Sequence, residues 1–337
     1  MSFHSEIIGT GSYVPPKIIT NKDLEALMNT SDEWIRQRSG IEERRWVEDD
    51  VCTTDLALEA CNKAIKSAGI AKEEIDMILL ATITPDHEFP GSSCFLQAKL
   101  GLPGITALDI RQACSGFIYG LSIADKFIRS GSHKTILLVG AEIHSKGLDK
   151  SPEGRDVGVL FGDGAAAVVM RRAENIDPQK DSHVICTNLH ADGNFAKELW
   201  LPGPGFAMGA ERVTHAMIDE KLHYPKMNGK LVFMHAIRRM SETLVHSVKE
   251  SGYELEDVDM FLFHQANLRI NQKVAETLGL PEEKVFNVIE KYGNTTAATI
   301  PLCMDEAIKA GKLKKGMLVA SAAFGSGFTW ASGVWRL

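Results

Sequence analysis

One internal repeat constrains the architecture of this chain more than any other feature, because each half must then solve the same packing problem. The stretch AIKSAGIAKEEIDMILLAT at 64–82 recurs in register as SVKESGYELEDVDMFLFHQ at 247–265, 183 positions later. LGLP occurs at 100–103 and again at 278–281. IRSGSHKTILLVG, from Ile128, resembles IKAGKLKKGMLVAS, from Ile308. Three anchors in the same order describe two halves of one architecture, dividing near the polar stretch RRAENIDPQKD at 171–181. The expected halves are 1–172 and 173–337. The second carries an irregular insertion at about 199–229, with several Pro and Gly residues and no clean period.

Within each half the pattern is helix, short turn, apolar run. DMILLAT, TILLVGA, DMFLFH and MLVASAA read as buried strands. TTDLALEACNKAIKSAG has helical periodicity and ends at glycine. Alternating strands and helices predict an α/β fold with largely parallel sheets covered by helices.

Composition narrows the function classes. Net charge is −7, from 37 basic and 44 acidic residues, which argues against a general nucleic-acid binder. No run of 18 apolar residues appears, so no membrane insertion is expected. The N-terminus lacks a basic region and a long apolar region, so no signal peptide is expected. Six cysteines with no CxxC suggest free thiols in a reducing cytoplasm, with no zinc site.

One of those thiols sits where chemistry is possible. ITALDI at 105–110 reads as a strand, and Phe117 to Ile128 as a helix, so Cys114 falls at or near a helix N-terminus. The positive end of the helix dipole is expected to lower the thiol pKa. Taken alone, the segment fits either a buried structural cysteine or a nucleophile. The second half adds His264 at the end of the strand FLFHQAN, and Asn294 in the Gly-Asn turn of YGNTTAA. Cys, His and Asn at strand edges make a nucleophile with two neutral hydrogen-bond donors, suited to an oxyanion or enolate. AAFGSGFTW near the C-terminus offers backbone N–H groups for a thioester carbonyl. FGDG at 161–164 reads as a tight turn near the site, without chemistry of its own.

These motifs resemble the β-ketoacyl-acyl carrier protein synthase III family of the thiolase superfamily. The resemblance runs through IIGTGSYVPP, TSDEWIRQRSGI, DIRQACSGF, FGDGAAAVV, LHADG, HQANLRI, YGNTTAA and AFGSGFTW. It implies the duplicated, five-layered αβαβα thiolase fold and a homodimer. It implies a decarboxylative Claisen condensation of an acyl-CoA primer with malonyl-acyl carrier protein, initiating fatty-acid synthesis, with no cofactor or metal. Cys114 would be the acyl-accepting nucleophile, and His264 and Asn294 would hold the malonyl thioester carbonyl. The backbone N–H groups of Cys114 and Ser326 would form the oxyanion hole. Trp34, Arg38, Arg155, Gly229 and Asn267 match CoA-contacting positions. Gln265, Ala266, Asn267, Leu268 and Arg269 match the stretch that binds the carrier protein, and Phe89 is a candidate gate of the acyl pocket. Because the chain is acidic, docking an acidic carrier calls for a local basic patch, with Lys230, Arg238, Arg239, Arg269 and Lys273 as candidates.

Departures from the family pattern are Ser326 in place of a glycine, Glu276 and Thr277 in place of a lysine pair, Met234 in place of a lysine, and Arg111-Gln112 before Ala113-Cys114. Alternative readings are a same-fold enzyme using longer acyl groups or a CoA-bound extender, a Cys/His/Asn thioester hydrolase, and a non-catalytic scaffold.

Overall fold

The computed structural model describes residues 3–337. The first sheet is built from β1 (His4–Tyr13), β2 (Met77–Ala81), β3 (Thr106–Ile110), β4 (Thr135–Glu142) and β5 (Gly164–Ala173), in the order β1-β5-β4-β2-β3. The second comprises β6 (His183–Ala191), β7 (Met260–Phe263), β8 (Leu318–Gly325) and β9 (Thr329–Arg336), in the order β7-β8-β9-β6. Six helices matter for the site and the layers: α1 (Asp32–Ser39), α2 (Thr53–Ala68), α3 (Gly116–Arg129), α4 (Gly229–Glu250), α5 (Leu268–Leu278) and α6 (Thr299–Lys309).

The layering follows from strand alternation, since successive side chains point to opposite faces. Met77, Leu79 and Ala81 face inward with Ile136 and Leu138, against α3. Ile78, Leu80, Leu137 and Val139 face outward, under Leu56, Ala60 and Ala64 of α2. In the second sheet Met260, Leu262, Val319 and Trp335 join the same central layer with Ile300 and Met304 of α6. Phe261, Phe263, Ala320 and Val334 turn outward to Leu244 of α4 and Val274 of α5. The result is helix, sheet, helix pair, sheet, helix pair. Helices α3 and α6 lie between two sheets and so carry apolar residues over much of their surfaces.

The duplication extends to backbone angles. Met77 pairs with Ile136 in parallel, and Met260 with Val319, each offset by 183. The turn into α3 begins at Gln112 (φ −96°, ψ 24°) and the turn into α6 at Thr295 (φ −97°, ψ 25°), again 183 apart. The next residues, Ala113 and Thr296, take φ of 45° and 49°. The counterpart of β3 is reduced to a single parallel bridge, Phe261 to Val285.

The expected strands and helices form, but the sheets are mixed rather than largely parallel. β2 runs parallel to β3 and β4, whereas β5 is antiparallel to both β4 and β1. β8 and β9 are joined by only Ser326 to Phe328, and a link that short makes an antiparallel hairpin. The 199–229 stretch contains a two-stranded ribbon, Leu199–Trp200 with Lys226–Met227, and a single-turn helix, His215–Asp219.

Candidate active site

Cys114 sits in the 3-10 turn Ala113–Ser115 that leads into α3. The turn is pressed against the end of β8, where a Cβ added to Gly325 would lie 2.7 Å from the Cβ of Cys114. Glycine is therefore required at 325 for the strand to reach the nucleophile. Cys114 is 8% exposed and lies at the buried end of a cavity of about 650 Å³. Burial pushes its thiol up to about 12, and the carboxylate of Glu142 adds to the rise. This corrects the expected lowering. A helix terminus supplies about 0.3–2 kcal/mol, too little to offset burial of this size.

His264 follows β7 and lines the same cavity at 2% exposure. Burial drives its pKa down to about 3, so the ring is neutral. Its Nδ1 lies 2.7 Å from Thr299 Oγ1, which is 2.9 Å from the carbonyl oxygen of Thr296. With the hydroxyl proton on that carbonyl, Nδ1 donates and Nε2 is an acceptor. With the hydroxyl proton on Nδ1, the ring proton is at Nε2. Nε2 has no hydrogen-bond partner among the described residues.

Asn294 is held by its backbone. Its N–H donates to Leu160 O at 2.8 Å, and its carbonyl accepts from Gly162 N at 3.1 Å. Its Oδ1 accepts the Thr296 N–H at 2.8 Å, which fixes the amide orientation and leaves Nδ2 as a donor. Asn294 thus does not orient His264; Thr299 does. That argues against a hydrolase relay, in which the amide must hold the imidazole. The FGDG turn acts on the site structurally: Gly162 closes on Asn294, and the Asp163 carboxylate accepts the N–H groups of Val47, His144 and Ser145. Ser326 lies outside the left-handed region, so its side chain is tolerated, whereas Gly327 takes φ 130°.

The cavity runs from these buried groups past Phe324, Phe233 and Met240 to an exposed end at Trp34, Arg38, Lys230 and Arg269. The Arg38 and Arg155 guanidinium carbons lie 4.7 and 4.8 Å from the Trp34 ring centroid. Gly229 and Asn267 also line it. Asn267 caps α5 through Arg269 N and ties that cap to α1 by donating to Arg38 O at 2.9 Å. Ala266 lines the cavity, and Leu268, like Trp34, packs against the buried cluster that includes Ile35 and Ile41.

One site expectation needs correction. Gln265 is 1% exposed and cannot touch a carrier protein, because its amide donates to Phe263 O and accepts from Val288 N. Phe89 is 81% exposed and is not among the residues lining the cavity. The basic candidates divide as well. Lys230 and Arg269 form no ion pair among the described residues, whereas Arg238 and Arg239 pair with Glu242, and Lys273 with Glu276. Sequence reading missed Thr296, Thr299, His144, Glu142 and Phe324. The hydroxyls at 296 and 299, three apart at the start of a helix, were the available signal.

A duplicated fold of this layering, with Cys114, His264 and Asn294 lining one cavity, is that of the thiolase-fold proteins. The family profile "3-Oxoacyl-[acyl-carrier-protein (ACP)] synthase III" matches residues 108–193, and its C-terminal companion matches 248–337. A β-ketoacyl-[acyl-carrier-protein] synthase III of Xanthomonas campestris is 44% identical over 336 residues, covering 99% of this chain and 98% of that relative. One from Alkalilimnicola ehrlichii is 44% identical over 335 residues, covering 99% of each. The crystal structure of the Aquifex aeolicus 3-oxoacyl-[acyl-carrier-protein] synthase III matches with a TM-score of 0.89 at 41% identity, covering 99% of this chain and all of that one. The chain belongs to the β-ketoacyl-acyl carrier protein synthase III family and is an acyltransferase.

Proposed function

We propose that the enzyme condenses an acyl-CoA primer with malonyl-acyl carrier protein to give 3-oxoacyl-acyl carrier protein, initiating fatty-acid synthesis. The observation that carries this reading is one cavity. At its buried end are a thiol, an imidazole nitrogen without a partner among the described residues and an amide donor, and at its exposed end are an indole and cations.

In the first step the Cys114 sulfur attacks the primer carbonyl. The S–C bond to cysteine forms, the S–C bond to CoA breaks, and the thiol proton leaves with CoA. The backbone N–H groups of Cys114 and Ser326 hold the carbonyl oxygen as it gains charge. In the second step the malonyl group loses CO₂. The electron pair passes to an enolate whose oxygen is held by Asn294 Nδ2 and by His264 Nε2–H, the tautomer in which Thr299 donates to Nδ1. The enolate carbon attacks the acyl carbonyl, the new C–C bond forms, and the Cys114 sulfur departs as a thiolate that takes from water the one proton the decarboxylation consumes. Two neutral donors stabilise the enolate without protonating it as a stronger acid would.

Trp34, Arg38 and Arg155 hold the nucleotide end of CoA, and Gly229 and Asn267 flank the pantetheine arm. Ala266, Asn267, Leu268 and Arg269 meet the carrier protein, with Lys230 beside them. No cofactor takes part, the halves are 1–172 and 173–337, and the enzyme is a cytoplasmic homodimer. In such a dimer Phe89 faces a second copy and gates the acyl chain. No helix among the described residues is long and apolar enough to cross a membrane.

Intact-protein mass after incubation with acyl-CoAs from acetyl to decanoyl tests the reading. Wild type gains an acyl adduct and Cys114→Ala does not; malonyl-acyl carrier protein then discharges it. Labelling only by long chains, or discharge only by malonyl-CoA, would favour the same-fold alternative in a secondary pathway. No adduct with any primer would overturn the proposal.

A further inference from the structure

The Cys114 sulfur has a polar neighbour to which the condensation assigns no part. The turn Thr296–Ala298 packs against the turn that carries Cys114, and Thr296 is the one side chain that acts to lower the thiol pKa. Thr296 Oγ1 in turn lies 2.6 Å from Nε2 of His144. His144 is buried, with its ring centroid 4.5 Å from that of Phe161 and its backbone N–H on Asp163 Oδ1 at 2.8 Å.

The backbone at Thr296 makes this arrangement informative. A β-branched residue at φ 49° is disfavoured, and strain of this kind gathers at functional sites. The duplication supplies the comparison. Ala113, 183 residues earlier, makes the same turn at φ 45° with no hydroxyl. The turn does not require threonine, so the backbone does not account for the hydroxyl.

We propose that His144 and Thr296 form a hydrogen-bond chain, Nε2–H to Oγ1 and Oγ1–H to Sγ, that steadies the thiolate of Cys114. The proposal rests on Cys114 being the nucleophile. A neutral imidazole has one N–H, and placing it on Nε2 commits the single threonine proton to the sulfur. Burial holds His144 down to about 3, which keeps the ring neutral throughout the working range. Each bond polarises the next in a buried site. Both are positioning residues, acting through Cys114.

The test is the rate of Cys114 alkylation by iodoacetamide against pH, read by mass on the peptide carrying Cys114. Glu142 and His264 also face this region, and both stay in every variant. Loss of one hydrogen bond to a charged sulfur predicts about tenfold slower alkylation near pH 8 and a thiol pKa raised by about one unit. Thr296→Ala and His144→Leu should each show this. Thr296→Ser and His144→Gln, which keep the donors, should restore most of the rate. The double variant should be no slower than the slower single one, because breaking one chain twice adds nothing. Wild-type alkylation in both His144→Leu and His144→Gln, or multiplied effects in the double variant, would overturn the chain. If His144→Leu does not fold, the Thr296→Ala and Thr296→Ser pair decides. Acylation of wild type by acyl-CoA is measured alongside. Its absence overturns the nucleophile reading, whereas acylation with unchanged alkylation profiles overturns the chain alone.

Discussion

Asn294 shows how a single side chain is assigned its chemistry by its neighbours. The Thr296 N–H occupies Oδ1, so the amide can only donate to whatever enters the cavity. Asn294→Asp keeps an acceptor for Thr296 and replaces the donor with a second acceptor. We expect acyl transfer to Cys114 to survive and malonyl decarboxylation to fall by about 10²–10³-fold, the loss typical of one donor at a developing oxyanion. Separate assays of acyl-adduct formation and of ¹⁴CO₂ release check this. Equal loss in both would place Asn294 in binding rather than in the second step.

At the scale of elements, the start of α5 connects the cavity to the surface. Its cap Asn267 ties it to α1, which carries Trp34 and Arg38, so a hydrogen bond joins the two helices at the exposed end of the cavity. On that surface Arg38, Lys230 and Arg269 have no carboxylate partner among the described residues, and Arg269 also lies 5.5 Å from the Phe233 ring. Reversing Arg269 to Glu should raise KM for malonyl-acyl carrier protein about tenfold or more at low salt and leave KM for acyl-CoA within about twofold. Equal loss on both substrates would assign Arg269 to the CoA site. The same substitution at Arg238, already paired with Glu242, should have a smaller effect on the carrier.

For the whole molecule, the central position of the site has a cost in acid. His144 and His264 have folded pKa values of about 3, below those of an unfolded chain. The unfolded state therefore binds more protons between about pH 6.5 and 3. Their contribution to stability is present above about pH 6.5 and is lost as pH falls through that window. Glu142, buried and raised to about 8, acts in the opposite sense, losing its contribution as pH rises from about 4.5 to 8. Of these three groups, the two histidines lose more between about pH 6 and 4 than Glu142 regains, which lowers the midpoint of thermal unfolding over that range. His144→Gln should flatten that fall. An unchanged slope would mean that the ring is not buried as a neutral group.

The amino-acid sequence by itself determined the duplication, the strands and helices, and Cys114, His264 and Asn294 as a group. Apolar periodicity and recurring motifs are local properties, and they survive in one dimension. It could not show that Gln265 is sealed inside, that Lys273 is neutralised by Glu276, or that the sheets are mixed, because each depends on neighbours chosen by folding. The thiol pKa is the clearest case. A helix start is legible in the sequence and argues for a lowered value, whereas the burial that raises it comes from Gly325 and the cavity walls. Thr296 and His144 are far apart in the chain and unremarkable in composition. Only the packing of the turn Thr296–Ala298 against the turn Ala113–Ser115 between two sheets brings a strained turn, a buried ring and the nucleophile together.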